Sequence, residues 1–288
     1  MALATGTTEF VDVTTASQFI PELWSSSAIV ARQAQLVFAK LVDLSYKKEM
    51  KFGDTLHIPN VANLTSRTKT ANTAITYETD TGTTTDITVS THEYAAMAVE
   101  DIVKIQANQD LMARYSGKLG YALGLAVDDV LAGLADDVTQ NVGTLLVPLS
   151  FADLKRARQY LDDAEAPMDD RFLVVSPAEE SNMLDLDQLV NRDYVMSNAS
   201  GNTTKPDRGY LGTFMETTVY KSTNVEGTNA AGHDCVMFQR EWAALVMQQE
   251  PRTYTQFDID YIVDKVAMTQ LYGTKEIRAT SAVWCKAA

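Results

Sequence analysis

Three histidines, two cysteines and several adjacent carboxylates are the residues of this 288-residue chain whose types could bind a metal or move a proton. His57, His92 and His233 stand far apart, and His233-Asp234-Cys235 comes nearest to a metal pair. Zinc sites take three or four ligands, and no second pair lies nearby. Asp128-Asp129, Asp136-Asp137, Asp162-Asp163 and Asp169-Asp170 are neighbours in sequence. Side chains at i and i+1 diverge on a helix, so these read as solvated faces or helix ends rather than acid/base pairs. Asp258, Asp260 and Asp264 would share one face of a strand, which reads as charge protecting an exposed sheet edge from aggregation ahead of a cation site. No nucleophile elbow, phosphate-binding glycine loop or His-Glu-x-x-His pair occurs. Gly117, Gly120 and Gly124 fall inside a helical pattern, which is the wrong context for a dinucleotide fingerprint. Catalysis needs positioned groups with tuned pKa values. The expectation is a protein that is not an enzyme and holds no cofactor or metal.

Composition agrees with a globular protein, at 45% hydrophobic and 22% charged residues. The formal charge of −14, with a pI near 4.6, leaves no basic footprint for nucleic acid and disfavours an anionic membrane as partner. Such a surface tolerates dense DNA nearby without sticking to it. No secretory signal and no apolar run of about 20 residues is visible. Cys235 and Cys285 are too few and too distant in sequence to suggest a disulfide framework, which fits a reducing cytoplasm.

The elements that would position any site begin with a polar arm at 1–24 and a helix predicted over 25–44, where Val30, Ala34, Val37, Leu41 and Leu44 recur at helical spacing. Residues 52–93 open with Gly53-Asp54-Thr55-Leu56-His57-Ile58-Pro59 and continue through threonine-rich sequence. They read as a two-stranded arm without a core. With limbs of roughly 20 residues at about 3.3 Å each, the arm would reach on the order of 60 Å. A compact chain of this length has a radius of gyration of about 19 Å, so the arm needs another molecule to lie on.

A long helix is predicted over 108–137, with Met112, Tyr115, Leu119, Ala122, Ala126, Val130 and Leu134 as its apolar stripe. At 1.5 Å per residue it is a rod of roughly 45 Å. Gly117, Gly120 and Gly124 each cost up to about 1 kcal/mol there and point to close packing or a soft rod. Ser150 caps an amphipathic helix with Leu154, Ala157 and Leu161 inward, and 171–177 reads as a buried strand. Pro177 starts a helix, and 195–208 is a polar exposed loop. Further strands are predicted at 217–222, 234–239, 243–248, 256–263 and 275–280. Mixed rather than alternating elements indicate an α+β fold.

This order of elements resembles a major capsid protein of tailed bacteriophages (Caudoviricetes) with the Hong Kong 97-like capsid fold. The residues that carry the resemblance are the 53–59 entry strand, the polar hairpin, the long helix, Phe172-Leu173-Val174-Val175-Ser176-Pro177, Gly209-Tyr210-Leu211-Gly212-Thr213-Phe214, and Tyr272-Gly273-Thr274-Lys275-Glu276-Ile277-Arg278. It implies an N-terminal arm and helix at 1–50, an extended E-loop hairpin at 51–95, and a P-domain with its spine helix at 96–146. An axial A-domain at 147–250 and return strands of the P-domain at 251–288 complete it. Asn63, Arg67 and Lys69 of the E-loop, and Asn198, Asn202, Lys205 and Arg208 of the axial loop, would be intersubunit contacts.

The implied function is a structural subunit that self-assembles, as pentamers and hexamers, into an icosahedral shell around a double-stranded DNA genome. The shell would form in the host cytoplasm and become the virion capsid. Partners would be other copies, a separate scaffolding protein, a portal protein, optionally a decoration protein, and packaged DNA held without sequence-specific binding; no membrane is implied. Some members form Lys–Asn crosslinks. Lys69 and Asn63 lie in the corresponding loop, without an identifiable acid catalyst. An encapsulin-like nanocompartment shell and a phage tail or decoration protein stand as alternatives, as does a hydrolase that would need a pocket of perturbed carboxylates.

Overall fold

The computed structural model describes residues 34, 36–48, 50, 52–79, 82–101, 111–186 and 210–288. A single helical turn, α1 (Phe38–Leu41), leads to strands β1 (Thr55–Asn60) and β2 (Thr83–Thr88) and then to β3 (Thr91–Glu100). The long helix α2 (Leu111–Gly133) follows, then β4 (Asn141–Gly143), α3 (Phe151–Asp163), β5 (Arg171–Val175) and α4 (Pro177–Met183). The rest is β6 (Tyr210–Phe214), β7 (Thr217–Lys221), β8 (Gly227–Thr228), β9 (Gly232–Gln239), β10 (Ala243–Asp258), β11 (Val263–Glu276) and β12 (Ala282–Ala287). These strands make a two-stranded ribbon β1-β2, a three-stranded sheet β10-β11-β3, and a sheet ordered β4-β12-β9-β5-β7-β6 with β8 beside β9.

The largest sheet grows from strong local signals. Every residue of β5 is buried, as a continuous apolar run covered on both faces should be. Its one charged residue, Arg171, donates to Asp162 Oδ1 at 2.6 Å and to the carbonyls of Ala166 and Pro167 at 2.7 and 2.9 Å. The buried guanidinium therefore pins the end of α3 to the strand. Ser150 Oγ accepts the Asp153 N–H and the Asp153 carboxylate accepts the Ser150 N–H, a complete capping box. Leu154, Ala157 and Leu161 face the core, and Ser176 caps α4 with Pro177 in its first turn.

Helix α2 faces inward in a different phase from the predicted stripe. Leu123, Val127 and Leu131 are buried, whereas Tyr115, Ala122 and Val130 are exposed. The helix is apolar around most of its circumference, so periodicity alone leaves its rotation open. Asp128 settles it, being fully buried beside Val127. Its carboxylate accepts the backbone N–H groups of Val37 at 3.4 Å and Ala39 at 3.2 Å, and the Asn224 amide at 2.9 Å. Burial raises its pKa, while those hydrogen bonds, led by Asn224, act the other way.

The same contacts correct the helix predicted over 25–44. Of the described residues in that span, 34 and 36–44, only Phe38–Leu41 is helical. The N–H groups of Ala34, Val37 and Ala39 go to Tyr121 Oη and Asp128 on α2, so side chains of the long helix take the donors that a local helix would use. Gly124 packs closely here, since a Cβ on it would sit 2.6 Å from Leu36 Cδ1. Gly120 faces Met268, while Gly117 faces open space. On the other side, Gln270 donates to the Leu123 carbonyl at 2.9 Å and to Glu93 at 3.0 Å, tying α2 to β3 and β11.

Other expectations shift as well. Residues 256–263 are not one strand: β10 ends at Asp258 and β11 starts at Val263, with a reversal between them. The Asp260 N–H donates to Asp258 Oδ1 at 3.0 Å, a side-chain turn that competes with strand pairing. Residues 275–280 divide between the end of β11 and a 3₁₀ turn at Ala279–Ser281. Within the 251–288 segment, expected to return beside the long helix, β11 lies against α2 through Met268 and Gln270, while β12 inserts between β9 and β4 in the largest sheet. Strand β3 went unrecognised, since Ala95-Ala96-Met97-Ala98 carries a helix-like composition.

Asp128→Ala should lower the unfolding free energy by about 2–3 kcal/mol, because buried N–H donors lose their acceptor; urea denaturation would read this. Gly273→Ala places a Cβ 2.4 Å from the Thr88 carbonyl oxygen and 3.0 Å from Val89 Cα. It should cost about 1–3 kcal/mol, whereas Gly117→Ala should stabilise by up to about 1 kcal/mol in the same denaturation assay.

Candidate assembly interface

The arm is built from a held base and an open tip. At the base, β1 and β2 pair from Thr55↔Thr88 to Asn60↔Thr83. Ile87 and Val89 are buried in a small cluster with Met50, Ala244 and Val246, separate from the main core. The Val89 N–H donates to the Asp54 carbonyl at 2.8 Å, and Gln248 Nε2 donates to the Gly53 carbonyl at 2.8 Å. His57 and Asp86 face each other across the ribbon at 2.6 Å, exposed to solvent.

Regular pairing stops after Asn60, so the limbs are far shorter as strands than the roughly 20 residues expected. Threonine- and asparagine-rich sequence offers no apolar face to pack, and an isolated ribbon is marginal in water. Side chains replace the ladder. Glu78 accepts the Thr65 N–H at 3.0 Å and the Thr65 hydroxyl, and pairs with Arg67 at 2.8 Å. These hydrogen bonds, Thr65 foremost, hold the Glu78 carboxyl below its ordinary range. The chain reverses at the distal end, where the Thr73 N–H and hydroxyl donate to the Thr70 carbonyl and Asn72 takes a φ of 59°.

Along this arm Val61, Leu64, Ile75 and Tyr77 are exposed, Tyr77 at 82%. Asn63 and Lys69 are exposed on the same stretch, while Arg67 is already engaged by Glu78 within its own arm. Asn198, Asn202, Lys205 and Arg208 lie outside the described residues. A second projection escaped the sequence reading. The β10-β11 turn presents Phe257, Ile259, Tyr261 and Ile262 to solvent, and Lys265 pairs with Asp258 there. The Asp-Ile-Asp spacing at 258–260 was the available signal for that turn.

The residues that could have carried chemistry are dispersed. His233 Nε2 meets Asn229 at 2.9 Å, and Asp234 accepts the Trp284 indole N–H at 2.9 Å. Asp128 points into the core while Asp129 is exposed. Glu179 is buried and accepts the Leu149 N–H at 2.9 Å; burial raises its pKa. Among the described residues no group of three or more His, Cys, Asp or Glu could hold a metal ion. No described helix is long and apolar enough to cross a membrane. A groove along the arm is lined by Leu64, Arg67, Lys69 and Tyr77.

A family model for phage capsid proteins matches residues 40–282. Among solved structures, the chain resembles one from Mycobacterium phage Che8 with 25% identity and a TM-score of 0.78, covering 93% of this chain and 97% of that one. It also resembles the capsid structure of the cyanophage P-SCSP1u, with 13% identity, a TM-score of 0.76 and coverage of 95% and 94%. The mature capsid of bacteriophage PhiM1 matches with 15% identity, a TM-score of 0.69 and coverage of 93% and 91%. A search of curated proteins returned no match. The fold is the Hong Kong 97-like capsid fold. A core-free arm, a long helix against a narrow sheet and the family match over most of the chain lead to one conclusion: this chain belongs to the phage capsid protein family and is a structural major capsid protein of tailed phages.

Proposed function

We propose that the 51–95 segment acts as an E-loop that lies over a neighbouring copy in an icosahedral shell enclosing double-stranded DNA. The observation that carries this reading is the stretch 61–79, which holds exposed Val61, Leu64, Ile75 and Tyr77 on an arm anchored only at its base. Apolar groups on a coreless arm favour burial against another surface. Asn63 and Lys69 face that neighbour. Arg67 acts one step back, bracing the tip through Glu78. On this reading 96–146 is the P-domain around α2, 147–250 the axial A-domain, and 251–288 the remaining P-domain strands together with β12. Asn198, Asn202, Lys205 and Arg208 would ring the five- and six-fold axes.

Assembly takes place in the host cytoplasm with a scaffolding protein and a portal protein, and a decoration protein can add to the outer surface. Copies associate as pentamers and hexamers because one surface, repeated with fixed curvature, closes a shell. A body with a formal charge of −14 repels its neighbours, so apolar arm contacts must outweigh that repulsion.

Deleting 63–72 should leave a folded subunit, seen by circular dichroism, that builds no stable lattice under electron microscopy with scaffold present. Normal shells from that deletion would refute the arm's role. Glu78→Gln should speed amide hydrogen exchange at Thr65 severalfold in the free subunit, because a neutral amide accepts more weakly than a carboxylate. Since the folded pKa is lowered, the brace should persist at about pH 5 and be lost as pH falls through the folded value, below the usual glutamate range.

A further inference from the structure

The chain contains two cysteines, and the fold brings them to directly opposite positions. Cys285 on β12 registers with Cys235 on the antiparallel strand β9. Directly opposed residues of an antiparallel pair project from the same face of the sheet. The Trp284 N–H turns away from β9 and donates to the Gln140 carbonyl at 2.8 Å, beside β4. The neighbouring Cys285 backbone therefore turns toward β9, which makes Cys235 and Cys285 a hydrogen-bonded pair. Such pairs have Cα atoms about 5.5 Å apart. That separation falls within the roughly 4.4–6.8 Å that a disulfide spans between Cα atoms. The Cβ atoms of a hydrogen-bonded pair stand about 5.5 Å apart against the roughly 3.5–4.5 Å of a disulfide, so β9 and β12 must draw together by about 1 Å for the bond to close. Both side chains are completely buried, and both are thiols.

We propose that Cys235 and Cys285 form an oxidisable dithiol, a site at which a small disulfide oxidant installs one intrachain bond between β9 and β12. The bond would close a loop of roughly 50 residues that contains the whole β10-β11 projection. It would thereby clamp the base of that projection and hold the last strand of the chain in its sheet.

The chemistry is ordinary thiol–disulfide exchange. One cysteine loses its proton to solvent and its thiolate attacks a sulfur of the oxidant RSSR, forming a mixed disulfide and releasing RS⁻. The second thiolate then attacks the protein sulfur of that mixed disulfide, closing Cys235–Cys285 and releasing a second RS⁻. The two electrons leave with the two RS⁻ groups, which take up the two protons. Burial gates the reaction. Desolvation pushes the Cys235 thiol up to about 12 and raises Cys285 further, with Cys235 beside it adding to the shift. Thiolate is therefore scarce until β12 or β9 opens locally.

The test uses the full chain and a glutathione redox buffer. One sample is incubated folded with oxidised glutathione and another is refolded in the same buffer; both are then denatured, alkylated with N-ethylmaleimide and weighed. A chain lighter by two hydrogens, carrying neither maleimide nor glutathione, is expected in at least one sample. Its melting temperature should exceed that of the reduced chain by on the order of 5 °C. The shift should vanish in the Cys235→Ala/Cys285→Ala double variant. Two alkylated thiols or glutathione adducts in both samples, or a disulfide that lowers the melting temperature, would overturn the proposal.

Discussion

An arm that buries almost none of its own surface can exist only if its base is held, and strand β11 supplies that hold. It is the middle strand of the β10-β11-β3 sheet, and its Gly273 lets the backbone at Thr88 and Val89 approach where any side chain would collide. Ile87 and Val89 then enter a small apolar cluster with Met50, Ala244 and Val246. Close backbone approach and a few buried methyls thus substitute for a core of the arm's own. The long helix, the narrow sheet and the arm form a continuous mechanical unit through this point.

Polar groups inside the molecule fix how those parts sit against each other. Asp128 gathers the backbone donors of Val37 and Ala39 at the start of α1 and the Asn224 amide. Gln270 and Tyr272 reach Glu93, at 3.0 and 2.9 Å, from across the same sheet. Arg171 joins helix α3 to strand β5. Each is satisfied by partners from another element, so each contributes orientation as well as stability. Apolar packing alone would leave α2 free to rotate, since it is apolar around so much of its circumference.

For a shell subunit this division of labour is physically sensible. The body carries the stable core, while two projections, the 61–79 arm tip and the β10-β11 turn, carry exposed apolar side chains. Contacts made by such projections are individually modest, but a closed lattice repeats each of them many times. The arm tip also keeps some internal order through Glu78, which reduces the entropy lost when it settles on a surface.

Much of this was legible in the chain itself. The Ser150 cap, the buried run of β5, Pro177 at the start of α4 and a polar arm within 52–93 all follow from local signals, because capping, turn formation and apolar patterning depend on residues a few positions apart. The order of elements was enough to suggest the capsid fold. Local signals could not supply partners. Among the described residues of the helix expected over 25–44, only Phe38–Leu41 is helical, because Tyr121 and Asp128, far along the chain, take the neighbouring donors. The strand expected over 256–263 became a turn through its own aspartates, and the phase of α2 followed from what Asp128 binds. Sequence by itself determined which segments could bury surface and which could not. Tertiary structure alone decided which distant groups meet, such as Cys235 with Cys285 across β9 and β12, because such pairings depend on register between strands that no short-range pattern encodes.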